Sequence, residues 1–157
     1  MIDTLTVIAY LLGHDAGSAG HLQLKAFFPE KQTTQCVQKA VSPQLQWRGV
    51  PPEADSLAVV VHDKKNYYWV AYNLPADATI LPFGANKIIN KYDEGVNSFG
   101  ERNYHSPWVC GQNVKDVVVE LYALDNRIST KKPLSPEGLF TKIKNHVLAK
   151  TQVVLAS

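Results

Sequence analysis

The sequence predicts a single mainly β (α+β) domain, and three observations predict it. Several segments carry the apolar, β-branched composition of strands, helical spacing is confined to the two ends, and 157 residues with 45% hydrophobic content suit one core. No internal repeat or low-complexity tract divides the chain, so residues 1–157 are read as one domain with residues 1–16 as an N-terminal helical extension.

Ile2, Leu5, Ile8, Ala9 and Leu12 fall near helical spacing, as in a short helix docking one face on the body. The apolar stretch Leu5 to Leu12 is too short to span a bilayer, and Ile2-Asp3-Thr4 lacks the basic start of a signal peptide. A cytoplasmic location is expected, with periplasm and secretion left open. Ala16-Gly17-Ser18-Ala19-Gly20 ends the helix, and Leu22 to Phe27 then alternates as a half-buried strand does. Leu57 to Val61 and Tyr67 to Tyr72 read as strands with little exposure, joined by the hairpin-length His62-Asp63-Lys64-Lys65-Asn66. Pro82 to Cys110 has no sustained period and reads as long ordered loops, the usual place for a site. Val117 to Leu124 alternates as a third strong strand. Ser135 can cap a helix with Pro136 in its first turn and Leu139, Phe140, Ile143 and Val147 on one apolar face; a last strand follows in Gln152 to Leu155.

Sixteen Lys and Arg against fourteen Asp and Glu leave a formal charge of +2, far from the basic surface that nucleic-acid binding requires. Cys36 and Cys110 form no C-x-x-C pair; they read as two packed thiols, with a single bridge left open. No histidines make an H-x-x-x-H pair, so neither metal nor cofactor is expected; His14 and His21 flank the Gly-rich turn and His62 ends a strand.

Four ordered blocks resemble the phosphatidylethanolamine-binding protein family, the group that includes the Raf kinase inhibitor-like proteins, in its prokaryotic branch. The most specific is Ser42-Pro43-Gln44-Leu45-Gln46-Trp47-Arg48-Gly49-Val50-Pro51, which is similar to S-P-x-L-x-W-x-x-V-P. The second runs from Ser56 to Asp63 and from Trp69 to Asp77. The third comprises Asn97-Ser98-Phe99-Gly100 and Leu121-Tyr122-Ala123-Leu124-Asp125, and the fourth is His146-Val147-Leu148-Ala149, placed in the final helix. The resemblance implies two antiparallel sheets packed face to face, with peripheral N- and C-terminal helices. It also implies a small cavity at one end of the sandwich for anions such as phosphate or phospholipid head groups.

That family lines its cavity with a D-P-D-x-P loop, a His in the next strand and a G-x-H-R segment. Here Asp63 takes the place of the first Asp, but Lys64, Lys65 and Asn66 follow and the loop is shorter. Tyr68 stands where the pocket histidine is usual, and a phenol cannot become a cation near neutral pH. Lys115 takes the later His position, Asp116 the Arg and Val117 the Tyr. The expectation is a reshaped or closed pocket, with Tyr68 and Trp69 filling it, in a non-enzymatic binding or regulatory protein. The alternative keeps an anion site through Lys64, Lys65 and Lys115. A third reading makes His105 and Ser106 a hydrolytic pair, although no G-x-S-x-G elbow exists. In the aromatic loop Phe99 to Trp108, the residues Tyr104, Pro107 and Trp108, near Arg102, either line a pocket rim or partner surface or cover the core beneath the loops; with the first reading the ligand-binding set is Asp63, Tyr68, Tyr104, Pro107, Trp108 and Lys115. Expected partners are an anionic small molecule, a phospholipid head group or a protein. A sheet edge and the N-terminal helix are candidate homodimer surfaces.

Overall fold

The computed structural model describes residues 21–29, 41–87, 91–108, 114 and 116–155. The expected N-terminal helix, His14, Cys36, Cys110 and Lys115 lie outside the described residues. The strands are β1 (Gln23–Phe27), β2 (Gln44–Arg48), β3 (Ser56–His62), β4 (Tyr67–Pro75), β5 (Ile80–Leu81), β6 (Asp93–Glu94), β7 (Val117–Leu124) and β8 (Val147–Leu155). They form two antiparallel sheets, one of three strands in the order β1-β2-β5 and one of five in the order β6-β4-β3-β7-β8.

Strand alternation divides the apolar residues between two cores. Leu57, Val59 and Val61 of β3, with Val119 and Leu121 of β7, face Leu24, Ala26, Leu45 and Trp47 of the smaller sheet. Ala58, Val60, Val70, Tyr72 and Tyr122 point the other way, under helix α1 (Pro136–Ile143), which covers them with Leu139 and Ile143. A strand covered on both faces has no polar side, which is why β3 reads as a continuous apolar run. The Ser42–Pro51 block supplies β2, the central strand of the smaller sheet. Trp47 is 4% exposed there, and its indole N–H donates to the Ala78 carbonyl at 2.7 Å.

Helix α1 starts as expected: the Ser135 hydroxyl accepts from the Gly138 N–H, and Pro136 occupies the first turn. It ends earlier than the apolar spacing suggested. Lys144 is the C-cap and Asn145 takes the left-handed conformation at φ 73°, one of the few non-glycine residues that does so at low cost. The chain reverses there, and Val147 opens β8 instead of extending the helical face. The block His146-Val147-Leu148-Ala149 therefore leads into a strand.

Candidate functional site

The turn between β3 and β4 is organised by one carboxylate. Asp63 Oδ1 accepts the N–H groups of Lys65 and Asn66 at 2.8 and 2.7 Å, closing an Asx-type turn, while the Asp63 N–H donates to the Asn66 carbonyl at 3.0 Å. Oδ2 accepts the Tyr68 hydroxyl at 2.7 Å. Burial pushes the Asp63 carboxyl up, but the Tyr68 hydroxyl, the two backbone N–H groups and neighbouring His62 outweigh it and hold it below its ordinary value. The Tyr68 phenol is pushed well up, first by burial and then by that carboxylate. Tyr68 thus donates its one proton inward and stays neutral at any physiological pH. Lys64 and Lys65 are exposed on the turn.

A second loop is stapled to the same corner. Tyr68 O accepts the His105 N–H at 2.9 Å, Tyr67 O accepts the Ser98 N–H at 2.9 Å, and the Tyr67 N–H donates to Ser98 Oγ at 2.7 Å. Asn97, 5% exposed, holds the loop in shape: Oδ1 accepts from the N–H of Phe99 and of Glu101, and Nδ2 donates to Asn103 O at 2.9 Å. Gly100 completes the turn at φ 75°, where a Cβ would meet no neighbour but the backbone conformation favours glycine. The loop presents Phe99, 40% exposed, against the His105 ring at 3.8 Å between centroids, with Tyr68 beneath at 6.0 Å. Burial lowers the His105 pKa, only partly offset by Glu101, whose carboxylate lies 3.6 Å from Nδ1. Phe99 and Asn97 belong to a loop and a block that the sequence marked but not to the expected ligand-binding set, although Asn-Ser-Phe-Gly carries the turn chemistry that marks such a loop.

The remaining candidates are placed deeper. Tyr104 is 2% exposed and meets Trp69 edge-on at 5.8 Å, and Trp69 itself is fully buried, its indole N–H bonded to Glu94. Pro107 is buried, and Trp108 packs edge-on against Phe28 at 4.9 Å. Ser106 is 2% exposed, with its oxygen accepting the Trp108 N–H at 3.2 Å; no hydrogen bond joins it to the His105 ring. The structure therefore brings Asp63 and Tyr68 together under a Phe99–His105 rim and puts Tyr104, Pro107 and Trp108 into the core or against it. Among the described residues, no group of three or more His, Cys, Asp or Glu is placed to hold a metal, and no helix is long and apolar enough to cross a membrane.

Behind the turn, on the helix side of the sheet, His62 donates toward two acceptors, Glu120 Oε1 at 2.9 Å and the Asp63 carbonyl at 3.2 Å. Glu120 also takes Lys150 at 2.9 Å and the Tyr122 hydroxyl at 3.0 Å. The hydrogen bond to Glu120 is the largest influence on His62 and raises its pKa against the burial that lowers it. Burial alone would raise Glu120, but His62 and Lys150 hold it at about 2. A raised His contributes stability fully below its ordinary 6.5, and that contribution is lost as pH rises through the folded value. A lowered Glu contributes above its ordinary 4.5, losing that contribution as pH falls towards 2. Thermal melts of wild type and His62→Gln should therefore differ most between about pH 4.5 and 6.5 and converge at alkaline pH. His105 titrates alike in both proteins and drops out of the difference, whereas the last and smallest of the influences that lower Asp63 is lost with His62; a constant gap would show that His62 acts by packing alone.

Comparison with known proteins completes the description. The family model for phosphatidylethanolamine-binding protein matches residues 19–156. A UPF0098 protein of Methanothermobacter thermautotrophicus is 31% identical over 128 residues, covering 76% of this chain and 83% of the relative. The UPF0098 protein YbhB of Escherichia coli is 27% identical over 124 residues, covering 72% and 78%. Among solved structures, a putative phosphatidylethanolamine-binding protein homolog from Chlamydia trachomatis superposes with a TM-score of 0.72 at 28% identity, covering 86% of this chain and 95% of the other. Escherichia coli YbcL, described as a member of the mammalian family, gives 0.70 at 22% identity, covering 85% and 96%, a likeness of fold.

Proposed function

Because the chain belongs to the phosphatidylethanolamine-binding protein family, we propose that it is a non-enzymatic binding protein whose inherited anion pocket has been reshaped and whose contact surface is the Phe99–His105 rim. The observation that carries this reading is the 2.7 Å bond from the Tyr68 hydroxyl to Asp63. It consumes the proton with which Tyr68 would bind an oxyanion and leaves a carboxylate, already accepting three hydrogen bonds, beside the place where the anion would sit. An exposed phenylalanine tilted against an imidazole whose pKa burial lowers offers apolar and aromatic contact instead. Such a surface suits a ligand or protein that is held and not turned over, in the manner of a regulatory inhibitor.

A hydrolytic role has little support, since Ser106 is buried and has no base bonded to it. The competing anion site would have to rest on Lys64, Lys65 and Lys115. Calorimetry and thermal shift with inorganic phosphate and phosphoethanolamine separate the two readings. A ligand present at a thousand times its Kd adds about 4 kcal/mol of stability. We expect no heat of binding and no shift in melting temperature; micromolar affinity for either compound would restore the anion reading.

A further inference from the structure

The face of the smaller sheet that points away from the shared core carries a groove of about 330 Å³, lined by Lys25, Gln46, Trp47, Arg48, Thr79 and Ile80. Strand alternation makes that face polar: Leu24, Ala26, Leu45 and Trp47 pack inward, so Gln23, Lys25, Gln46 and Arg48 point out. Register then arranges the chemistry. Lys25 pairs with Gln46 and Gln46 with Ile80, which lays an ammonium, an amide and an aliphatic side chain in one row across β1, β2 and β5. Arg48, two residues on from Gln46, stands diagonal to Lys25, an arrangement that separates the Cβ atoms by about 7 Å. Its guanidinium is anchored: Nε donates at 2.5 Å to Oε1 of Gln23, its register partner, and Gln23 is only 3% exposed. Held through Nε, the planar fork keeps its two terminal nitrogens in a fixed orientation. Among the described residues that line the groove there is no carboxylate, and Ile80 is 46% exposed beside the cations.

We propose that this groove is a second ligand site, one for a small organic carboxylate with an apolar body. The Arg48 fork matches a carboxylate in two parallel hydrogen bonds, and Lys25 adds a second positive charge from the diagonal. Ile80 takes the apolar body, while the Gln46 amide and the Thr79 hydroxyl serve any polar substituent. The volume falls at the small end of ligand sites, which run from about 300 to about 1,000 Å³. The Asp63–Tyr68 turn belongs to the other sheet, so a ligand in the groove leaves that turn and its rim accessible. Neither phosphate nor phosphoethanolamine brings an apolar body, and the ammonium of the second would face Lys25 and Arg48. Silence toward both compounds is therefore expected of this groove as well, and the rim and the groove fail by different experiments.

Hexanoate titrated into the isotope-labelled full chain, with backbone amide shifts as the readout, should move residues 23–25, 46–48 and 79–80 together, with a Kd on the order of 1 mM. Hexylammonium, the same apolar body with the charge reversed, should leave those amides in place, a comparison that needs no variant. Arg48→Gln and Lys25→Gln should each weaken hexanoate binding at least about fivefold. Lys131→Gln, which removes an exposed cation outside the groove, should bind as wild type does. Shifts absent up to about 20 mM hexanoate or confined to other residues, an equal response to hexylammonium, or an Arg48→Gln variant that binds as tightly as Lys131→Gln would each overturn the proposal.

Discussion

Gly95→Ala is expected to cost about 3–5 kcal/mol of folding stability. A Cβ at this position would collide with the Leu134 carbonyl oxygen and stand 2.9 Å from a methyl group of Val70. Neither neighbour can yield cheaply. The Gly95 N–H donates to Val70 O on β4, and the next N–H, of Val96, donates to the same Leu134 carbonyl, both at 2.8 Å. Glycine thus seals the 93–96 segment between β4 and the approach to α1, and separating them by even half an ångström strains two buried hydrogen bonds. For a domain of this size such a loss lowers the melting temperature by roughly 10–15 °C. Gly138→Ala is the control: it sits in α1, its nearest contact would be the Ser135 hydroxyl at 3.2 Å, and alanine is the better helix former, so its melting temperature should stay near wild type. Equal urea midpoints for Gly95→Ala and Gly138→Ala would show that the Leu134 segment moves freely.

The parts of this fold that were legible in the sequence are those where local pattern and tertiary environment agree. β3, β4 and β7 are apolar or β-branched because both faces are covered, and their signal survives without context. β2 was recognised only as part of a family-like block and not as a strand, although Leu45 and Trp47 alternate with polar Gln44, Gln46 and Arg48; five residues are too few for periodicity to stand out. The step from α1 to β8 was misjudged because Val147 continues the i, i+4 spacing from Ile143. Only Asn145 marks the stop, and an asparagine is a weak signal until its φ is known. At the site, the Asp63 and Tyr68 positions were found through family resemblance. Their mutual bond, which alters what each can bind, depends on a rotamer that no sequence spacing specifies. Tyr104, Pro107 and Trp108 left two readings open, a rim or a cover for the core, because aromatics in a loop serve equally as anchors or as lids; their burial favours the cover.

Asn97→Ala should dismantle the rim while leaving both sheets intact. The substitution removes the acceptor for two N–H groups, of Phe99 and Glu101, and the donor to Asn103 O, in a residue only 5% exposed. Leaving such groups unpaired costs about 1–3 kcal/mol each if the loop stays in place. The loop has a cheaper course, which is to open to water and surrender the contacts of Ser98 and His105 with β4. The net loss should then be about 2–4 kcal/mol, with a distinctive pattern. Amides of Ser98 and His105 lose exchange protection, whereas those of β3 and β7 keep it. Asp63 and Tyr68, joined within their own turn, stay bonded, so the variant isolates the rim from the lock beneath it. If the rim is the contact surface, Asn97→Ala abolishes ligand or partner binding with the Asp63–Tyr68 pair undisturbed; retained binding with the loop demonstrably open would move recognition elsewhere on the molecule.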